Sequence, residues 1–262
     1  MHCGIVLRDM AVLPVALARD TIVECVFELR FVGAHPSVAE ILPGIIFGRY
    51  PDRFTNVTTL PLAQMPRSVR EQNPQLKHFP LTSLDGPHAR MMFGESSVAV
   101  SFLKPYWGWA KAKPMILECI NAAVETRLTG RPERYGLKYV NVLKEGSDEF
   151  DLSQTRVCVE LGGFQLKSAG NMAVHGEIEL HGCTNIVDIA TGGKVVIPGQ
   201  QEAEIGVIIS VDTVRNSTGD DVISSLPPQV LETLHETEKE IFFGLLTDPT
   251  IERLGPRYPA AH

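Results

Sequence analysis

The sequence predicts an α+β fold in which antiparallel sheet wraps two long helices. Two segments repeat apolar residues at helical spacing, and many shorter segments alternate apolar with polar residues between glycine-rich turns. The chain has 262 residues, of which 44% are hydrophobic and 21% charged, a composition typical of globular proteins. We therefore treat residues 1–262 as one domain with a substantial core. Halves at 20–130 and 131–250 are an alternative division, although no sequence repeat supports it.

The strand prediction rests on alternation of apolar and polar side chains. In residues 21–32 the odd-numbered residues from 23 onward are apolar, whereas Glu24, Glu28 and Arg30 fall on the other face. Residues 96–103 alternate in the same way. The second half predicts further strands at 134–143, 155–161, 163–168, 172–181, 184–190 and 203–213. The short spacing between these segments indicates antiparallel pairing, because a parallel connection needs a dozen or more residues.

The two long helices are predicted at 109–128 and 228–246, each with one apolar stripe. Ser224 or Ser225 is the expected N-cap of the second helix. A shorter helical pattern follows Pro36, and we expect Pro43-Gly44 to bend or break it. Residues 61–92 contain five prolines and predict a long connection with at most one short strand.

Composition argues against several classes of protein. The formal net charge of −7 disfavours extended nucleic-acid binding, which depends on neutralising phosphates. No apolar run approaches the roughly 20 residues that cross a bilayer, so we expect no membrane partner. The five cysteines are scattered without a C-x-x-C pair, which predicts free thiols and a cytoplasmic location. Signatures of a serine nucleophile or a phosphate-binding loop are also absent from the sequence.

One candidate metal site is the row His175, Glu177, Glu179 and His181, which strand alternation places on one face. Residues two apart along a strand stand about 6.5–7 Å apart, so four such side chains cannot converge on one ion. We therefore favour a solvated sheet face, paired across to Glu204, Ser210 or Asp212, and predict no metal and no cofactor. A metal-dependent enzyme using His175, Glu177 and His181 stays as an alternative.

A second candidate is the segment 104–113, where Trp107 and Trp109 alternate with lysines at the start of the first long helix. If exposed, these rings could stack a nucleotide near the positive helix end. If buried, they anchor the helix to the sheet, which is the more common use of tryptophan. A nucleotide-acting enzyme is therefore another alternative.

A third candidate is a basic stretch that runs from the helix end into the strand containing Asn141; it consists of Arg127, Arg131, Arg134 and Lys138. Asn141 shares the inward face with Tyr139, so its amide must find a hydrogen-bond partner or a ligand. Glu24, Glu28 and Arg30 share another strand face, where a solvated ion cluster is more common than acid–base catalysis.

Several motifs resemble a sporadically distributed bacterial family of similar length that has no assigned activity. They are the E-L-R-F strand at 28–31, the G-L-x-Y-x-N strand at 136–141 and the L-H-x-x-x-K-x-x-F pattern at 234–242. The sequence departs from the family mainly at Lys138, where arginine is more usual. The resemblance implies no catalytic residues, but the patchy distribution of the family suggests accessory genes, including defence and toxin–antitoxin modules.

Together these patterns predict a cytoplasmic protein that binds a small ligand or a protein partner and has no catalytic activity. An oligomeric structural subunit is a further alternative, and it includes a homo-oligomer. The residues that we expect to line a ligand site are Arg30, Trp107, Trp109, Arg134, Tyr139 and Asn141.

Overall fold

The computed structural model describes residues 12–144, 152–165, 172–197, 203–218 and 224–259. The strands of the first half are β1 (Ala16–Leu17), β2 (Ile22–Val32), β3 (Asn56–Thr59), β4 (Thr82–Asp85), β5 (Arg90–Phe93) and β6 (Ser97–Leu103). Those of the second half are β7 (Arg131–Leu143), β8 (Glu160–Leu161), β9 (Phe164–Gln165), β10 (Ala173–Leu180), β11 (Cys183–Val195), β12 (Glu204–Asn216) and β13 (Pro256–Arg257). The helices are α1 (Val38–Arg49), α2 (Arg67–Glu71), α3 (Trp109–Glu125), α4 (Pro228–Leu245) and α5 (Asp248–Leu254).

Nine strands form one antiparallel sheet in the order β10-β11-β12-β7-β2-β6-β5-β4-β3. The α+β class and the large antiparallel sheet predicted from the sequence are thus confirmed. The long strands β2 and β7 lie at the centre of this sheet, where β2 pairs with β7 along nearly its whole length. Because alternate residues of a strand face opposite sides, this register assigns every side chain of the central strands to one of two faces.

One face of the sheet carries the helices and the core. Phe27 and Leu29 of β2 and Leu137 of β7 are buried there together with Ile116 of α3 and Leu234 of α4. The C-terminal part of α4 packs on β11 and β12 in a second cluster that contains Phe242 and Val211. Strands with one apolar face and helices with one apolar stripe can both bury those surfaces in this way.

The opposite face of the sheet carries ion pairs. Glu28 and Arg30 of β2 pair at 2.6 Å, and Arg134 of β7 pairs with Asp212 of β12 at 3.0 Å. The predicted sharing of one face by Glu24, Glu28 and Arg30 therefore agrees with the register. No described helix is both long enough and apolar enough to cross a membrane.

The first half departs from the sequence prediction at two places. Helix α1 continues through Pro43, which lies in its second turn and is buried, so Pro43-Gly44 does not break it. The segment 61–92 contains β4 and most of its hairpin partner β5 as well as α2, rather than at most one short strand. These strands have only four residues each, too few to show a clear alternation in the sequence.

The second half also departs from the prediction at two places. Strands β8 and β9 have two residues each, although 155–161 and 163–168 were expected to be longer; part of the second segment lies outside the described residues. Helix α4 has Pro227 as its N-cap and Pro228 at its first position, so neither Ser224 nor Ser225 caps it. Proline suits the first helical position because its fixed φ matches the helix and an N–H at that position would have no partner within the helix.

Candidate functional site

A cavity of about 230 Å³ lies between the core face of the sheet and helices α3 and α4. Residues 14–17, which include β1, form another part of its wall. Five residues of α4 line it, among them His235, Glu238 and Phe242. The spacing of three and four between these three places them on one face of the helix.

The sheet and the start of α3 position the remaining walls. Tyr139 and Asn141 are alternate residues of β7 and so point to the same face. Gly108 precedes α3 with a φ of 85°, a conformation that other residues rarely adopt, and it directs the chain so that Trp109 begins the helix beside the cavity.

A chain of hydrogen bonds connects the sheet to α4 inside the cavity. The hydroxyl of Tyr139 lies 3.0 Å from that of Tyr106 and 3.3 Å from Nδ1 of His235. The imidazole of His235 also stacks on the Trp109 ring, with centroids 4.1 Å apart and planes 12° apart. These contacts fix the orientation of each ring.

Burial holds this chain in its neutral form. It lowers the pKa of His235 to about 3, and the pKa values of Tyr106 and Tyr139 are both raised by burial. The Cys25 thiol beside the two tyrosines has its pKa raised to about 12 for the same reason. At neutral pH these groups therefore serve as hydrogen-bond donors and acceptors without charge.

Glu238 is the most unusual residue of the cavity. It is 4% exposed, and its Oε1 has no hydrogen-bond partner among the described residues. Burial raises the pKa of its carboxyl to about 8, and the charge of Lys239 opposes that shift. The indole Nε1 of Trp109 is likewise buried without a partner in the described part of the chain. Native proteins pair nearly all such groups, so a donor and an acceptor are left for something bound in the cavity.

Other polar groups of the cavity wall form hydrogen bonds within the protein. Thr21 Oγ1 donates a hydrogen bond of 2.8 Å to Asn141 Oδ1. The carboxylate of Asp20 accepts a backbone N–H from Ile22 at 3.0 Å. Lys239 also lines the cavity, but its Nζ pairs with Glu236, 3.3 Å away, rather than with Glu238.

The structure brings three of the six predicted ligand residues to this cavity, Trp109, Tyr139 and Asn141. Trp107 lies elsewhere, against His88 at a ring-centroid distance of 3.9 Å. Arg30 and Arg134 are register partners on the outer face of the sheet, on the side away from the helices. The six residues therefore do not form one site, because residues of even and odd number in β2 and β7 face opposite sides.

The predicted row of metal ligands is interrupted by a turn. His175 and Glu177 are exposed on β10, but His181 has a φ of 52° and forms a two-residue hairpin with Gly182. Such hairpins require positive φ at both residues, which takes His181 out of the strand. His175 contacts Asp188 of β11 at 2.7 Å, not a residue of β12, and His181 contacts Glu240 of α4 at 2.8 Å. In the described ranges no three His, Cys, Asp or Glu side chains are placed to hold one metal ion.

Sequence reasoning missed Tyr106, His235 and Glu238. A signal for Glu238 was nevertheless present, since it lies seven residues after Leu231 and three before Ile241, in the middle of the apolar stripe predicted for α4. A carboxyl at such a position must be buried, which marks it as a candidate for function.

In comparisons with known proteins, no family model and no curated protein matches this chain.

Proposed function

We propose that this protein binds a small organic ligand in the cavity between β7, α3 and α4. The observation that carries the proposal is the buried Glu238 carboxyl, which lines the cavity and has an oxygen without a partner in the described residues. Leaving such a group unsatisfied costs about 1–3 kcal/mol. A ligand that satisfies it would recover part of that free energy on binding.

The remaining walls support a ligand with an apolar body and a few polar atoms. Phe242, Phe243 and Trp109 supply apolar surface, while Tyr106 and Tyr139 supply hydroxyl groups. Ligand sites typically combine a mainly apolar lining with a small number of placed polar groups. The cavity has this combination.

The test is to ask which compounds leave the protein when the cavity is blocked. Ala16 lines the cavity and is exposed, so Ala16→Trp should place a large ring at its mouth without disturbing the core. Ala173→Trp is the matched control, because Ala173 is exposed on the edge strand β10. Mass spectrometry of denatured protein should find a compound with wild type and Ala173→Trp that is missing from Ala16→Trp.

The same two variants cover the case in which the ligand is lost on purification. A chemically diverse fragment library should then contain compounds that raise the melting temperature of wild type and of Ala173→Trp but not of Ala16→Trp. If neither experiment distinguishes Ala16→Trp from its control, the cavity is not a ligand site.

A second candidate function is an enzyme in which Glu238 transfers a proton. General acid–base catalysis works best with a pKa near the working pH, and that of Glu238 is raised to about 8 by burial. Chemical change of the extracted ligand during incubation with wild type but not with Glu238→Gln would favour this function over simple binding.

The sequence adds a biological setting to the proposal. The resemblance to a bacterial family of patchy distribution supports an accessory role in a defence or toxin–antitoxin module, and the scattered cysteines support a cytoplasmic location.

We also propose that the protein consists of two similar halves whose sheet covers α3 and α4. In support, β2 and β7, the first strands within residues 20–130 and 131–250, lie at the centre of the sheet, and each is beside the last strand of the same range, β6 or β12.

A further inference from the structure

We propose that the ligand is an organic ammonium compound, whose charged nitrogen pairs with the Glu238 carboxylate and whose carbon skeleton lies against the aromatic walls. This inference rests on the proposed ligand site and adds the chemical class of its occupant. It depends on three features of the cavity: a buried acid, aromatic rings and a lining lysine, Lys239, that forms no ion pair with the acid.

The buried acid is the first feature. Glu238 of α4 lines the cavity, and the residue is 4% exposed. A carboxylate removed from water is stable only when it is paired, and an ammonium group can both neutralise it and donate hydrogen bonds to the free Oε1. A neutral ligand could donate a hydrogen bond, but it would leave the acid protonated.

The aromatic walls are the second feature. Trp109, Tyr106 and Phe242 line the same cavity as Glu238. The faces of aromatic rings attract cations, and sites that combine such rings with a carboxylate are typical of organic ammonium recognition. The same rings bury the apolar part of the ligand.

Lys239 is a cation of the protein that could have paired with the Glu238 carboxylate in place of a ligand. It follows Glu238 in the chain and lines the cavity, but its Nζ lies 3.3 Å from Glu236 and it forms no ion pair with Glu238. Lys239 therefore lowers the cost of ionising Glu238 only from a distance, and the Oε1 atom of Glu238 is left without a partner among the described residues.

Binding an ammonium ion must release a proton. Burial raises the pKa of Glu238 to about 8, so at pH 7 about nine-tenths of the free protein carries the neutral acid. When R–NH3⁺ pairs with the carboxylate, the acid proton passes to solvent and no covalent bond is made or broken. The apparent Kd should therefore fall about ninefold from pH 6 to pH 7 and level off above pH 8.

The groups facing Glu238 do not produce this profile. His235 of the same helix has its pKa lowered by burial to about 3, while burial raises that of Cys25 of β2 to about 12. Burial also raises the pKa values of Tyr106 and of Tyr139 of β7 above their ordinary value. Burial raises the pKa of Asp20, which also lines the cavity. The variant Asp20→Asn therefore measures how much Asp20 contributes to the pH dependence of the apparent Kd.

The experiment compares butylamine, phenethylamine and tryptamine with the alcohols of the same skeletons. Calorimetry in two buffers of different ionisation enthalpy measures both affinity and proton release. At pH 7 we expect at least one amine to bind wild type at least tenfold more tightly than its alcohol and to release about 0.9 proton. Glu238→Gln keeps the size of the side chain and should weaken that amine at least tenfold while changing the alcohol less than twofold.

Glu240→Gln is the matched control, because it removes one acid from α4 at a position that contacts His181 on the surface. It should leave amine binding unchanged, and melting curves should show that all variants fold. If alcohols bind as well as amines, or binding releases no proton, the ammonium inference is wrong although the ligand site stands. If no amine and no alcohol binds, and the Ala16→Trp comparison also finds no ligand, the site itself is refuted.

Discussion

Replacing Glu238 with glutamine should stabilise the ligand-free protein, and more so as the pH rises. Burial raises the pKa of this carboxyl from an ordinary value of 4.5 to about 8. Folding raises the pKa of this acid, so the folded state loses stability once the pH exceeds the pKa of the acid in the unfolded chain. Above that pH the acid ionises freely only in the unfolded chain. Glutamine has a similar shape and never ionises, so it removes this effect.

The magnitude follows from the two pKa values, at about 1.4 kcal/mol for each pH unit between them. Below pH 4.5 both states hold the proton and the variant gains nothing from this effect. We expect a gain of about 1 kcal/mol at pH 5, about 3 kcal/mol at pH 7 and about 5 kcal/mol at pH 9. The gain stops growing above pH 8, where Glu238 ionises in the folded protein as well.

Urea unfolding at these three pH values measures the difference directly. Glu240→Gln, whose wild-type acid is partly exposed beside His181, is the control and should show no such trend. A stability difference between wild type and Glu238→Gln that stays constant from pH 5 to pH 9 would refute the reasoning. It would mean that Glu238 ionises equally well in the folded and unfolded chain.

Further predictions concern the hydrogen-bond chain, the core and the outer face. Nitrogen NMR at pH 5 should find His235 neutral, because burial lowers its pKa to about 3, and His175 charged, because the Asp188 hydrogen bond raises its pKa. Tyr139→Phe removes the hydroxyl that joins two buried partners and should lower the free energy of unfolding in urea by about 1–3 kcal/mol; no loss would show that the chain is not formed. Leu231→Ala in the core should lower it by about 2–5 kcal/mol, and a smaller loss would mean that α4 packs loosely. Arg30→Ala should change the Kd for the amine less than twofold in calorimetry, since Arg30 is on the opposite face of the sheet from the cavity. A larger change would show that the amine binds elsewhere.

Periodicity was sufficient to predict the two long helices and the longer strands of the sheet, but not the four-residue strands β3, β4 and β5. The observed bounds of α3 and α4 differ from the predicted ends by three residues and one residue, because a helix end depends on local contacts as well as on its stripe. In α4, for example, the chain before the helix is held by Asn121 of α3, whose Oδ1 accepts the Leu226 N–H at 2.7 Å. Such a contact between distant parts of the chain leaves no local pattern.

The candidate site was only partly predictable for a related reason. Asn141 and Tyr139 could be recognised because a polar group on an apolar strand face is visible within a few residues. Their neighbours Tyr106 and His235 come from distant parts of the chain, and only the packing of α4 on β7 brings them together. Arg30 and Arg134 were wrongly predicted beside them, although alternation along β2 and β7 already places these arginines on the face opposite to Tyr139 and Asn141.

The pairing of β2 with β7 has a consequence for how the protein is made. Val32 faces Arg131 and Ile22 faces Asn141, so the two central strands are about a hundred residues apart in the chain. Contacts of such long range form slowly, because a large loop must close before any of them is gained. During synthesis, one edge of β2 therefore exposes its backbone N–H and C=O groups until the ribosome has released β7. An open edge of this length can pair with another nascent chain, so efficient production should depend on rapid synthesis of the chain through β7 or on a chaperone that covers β2.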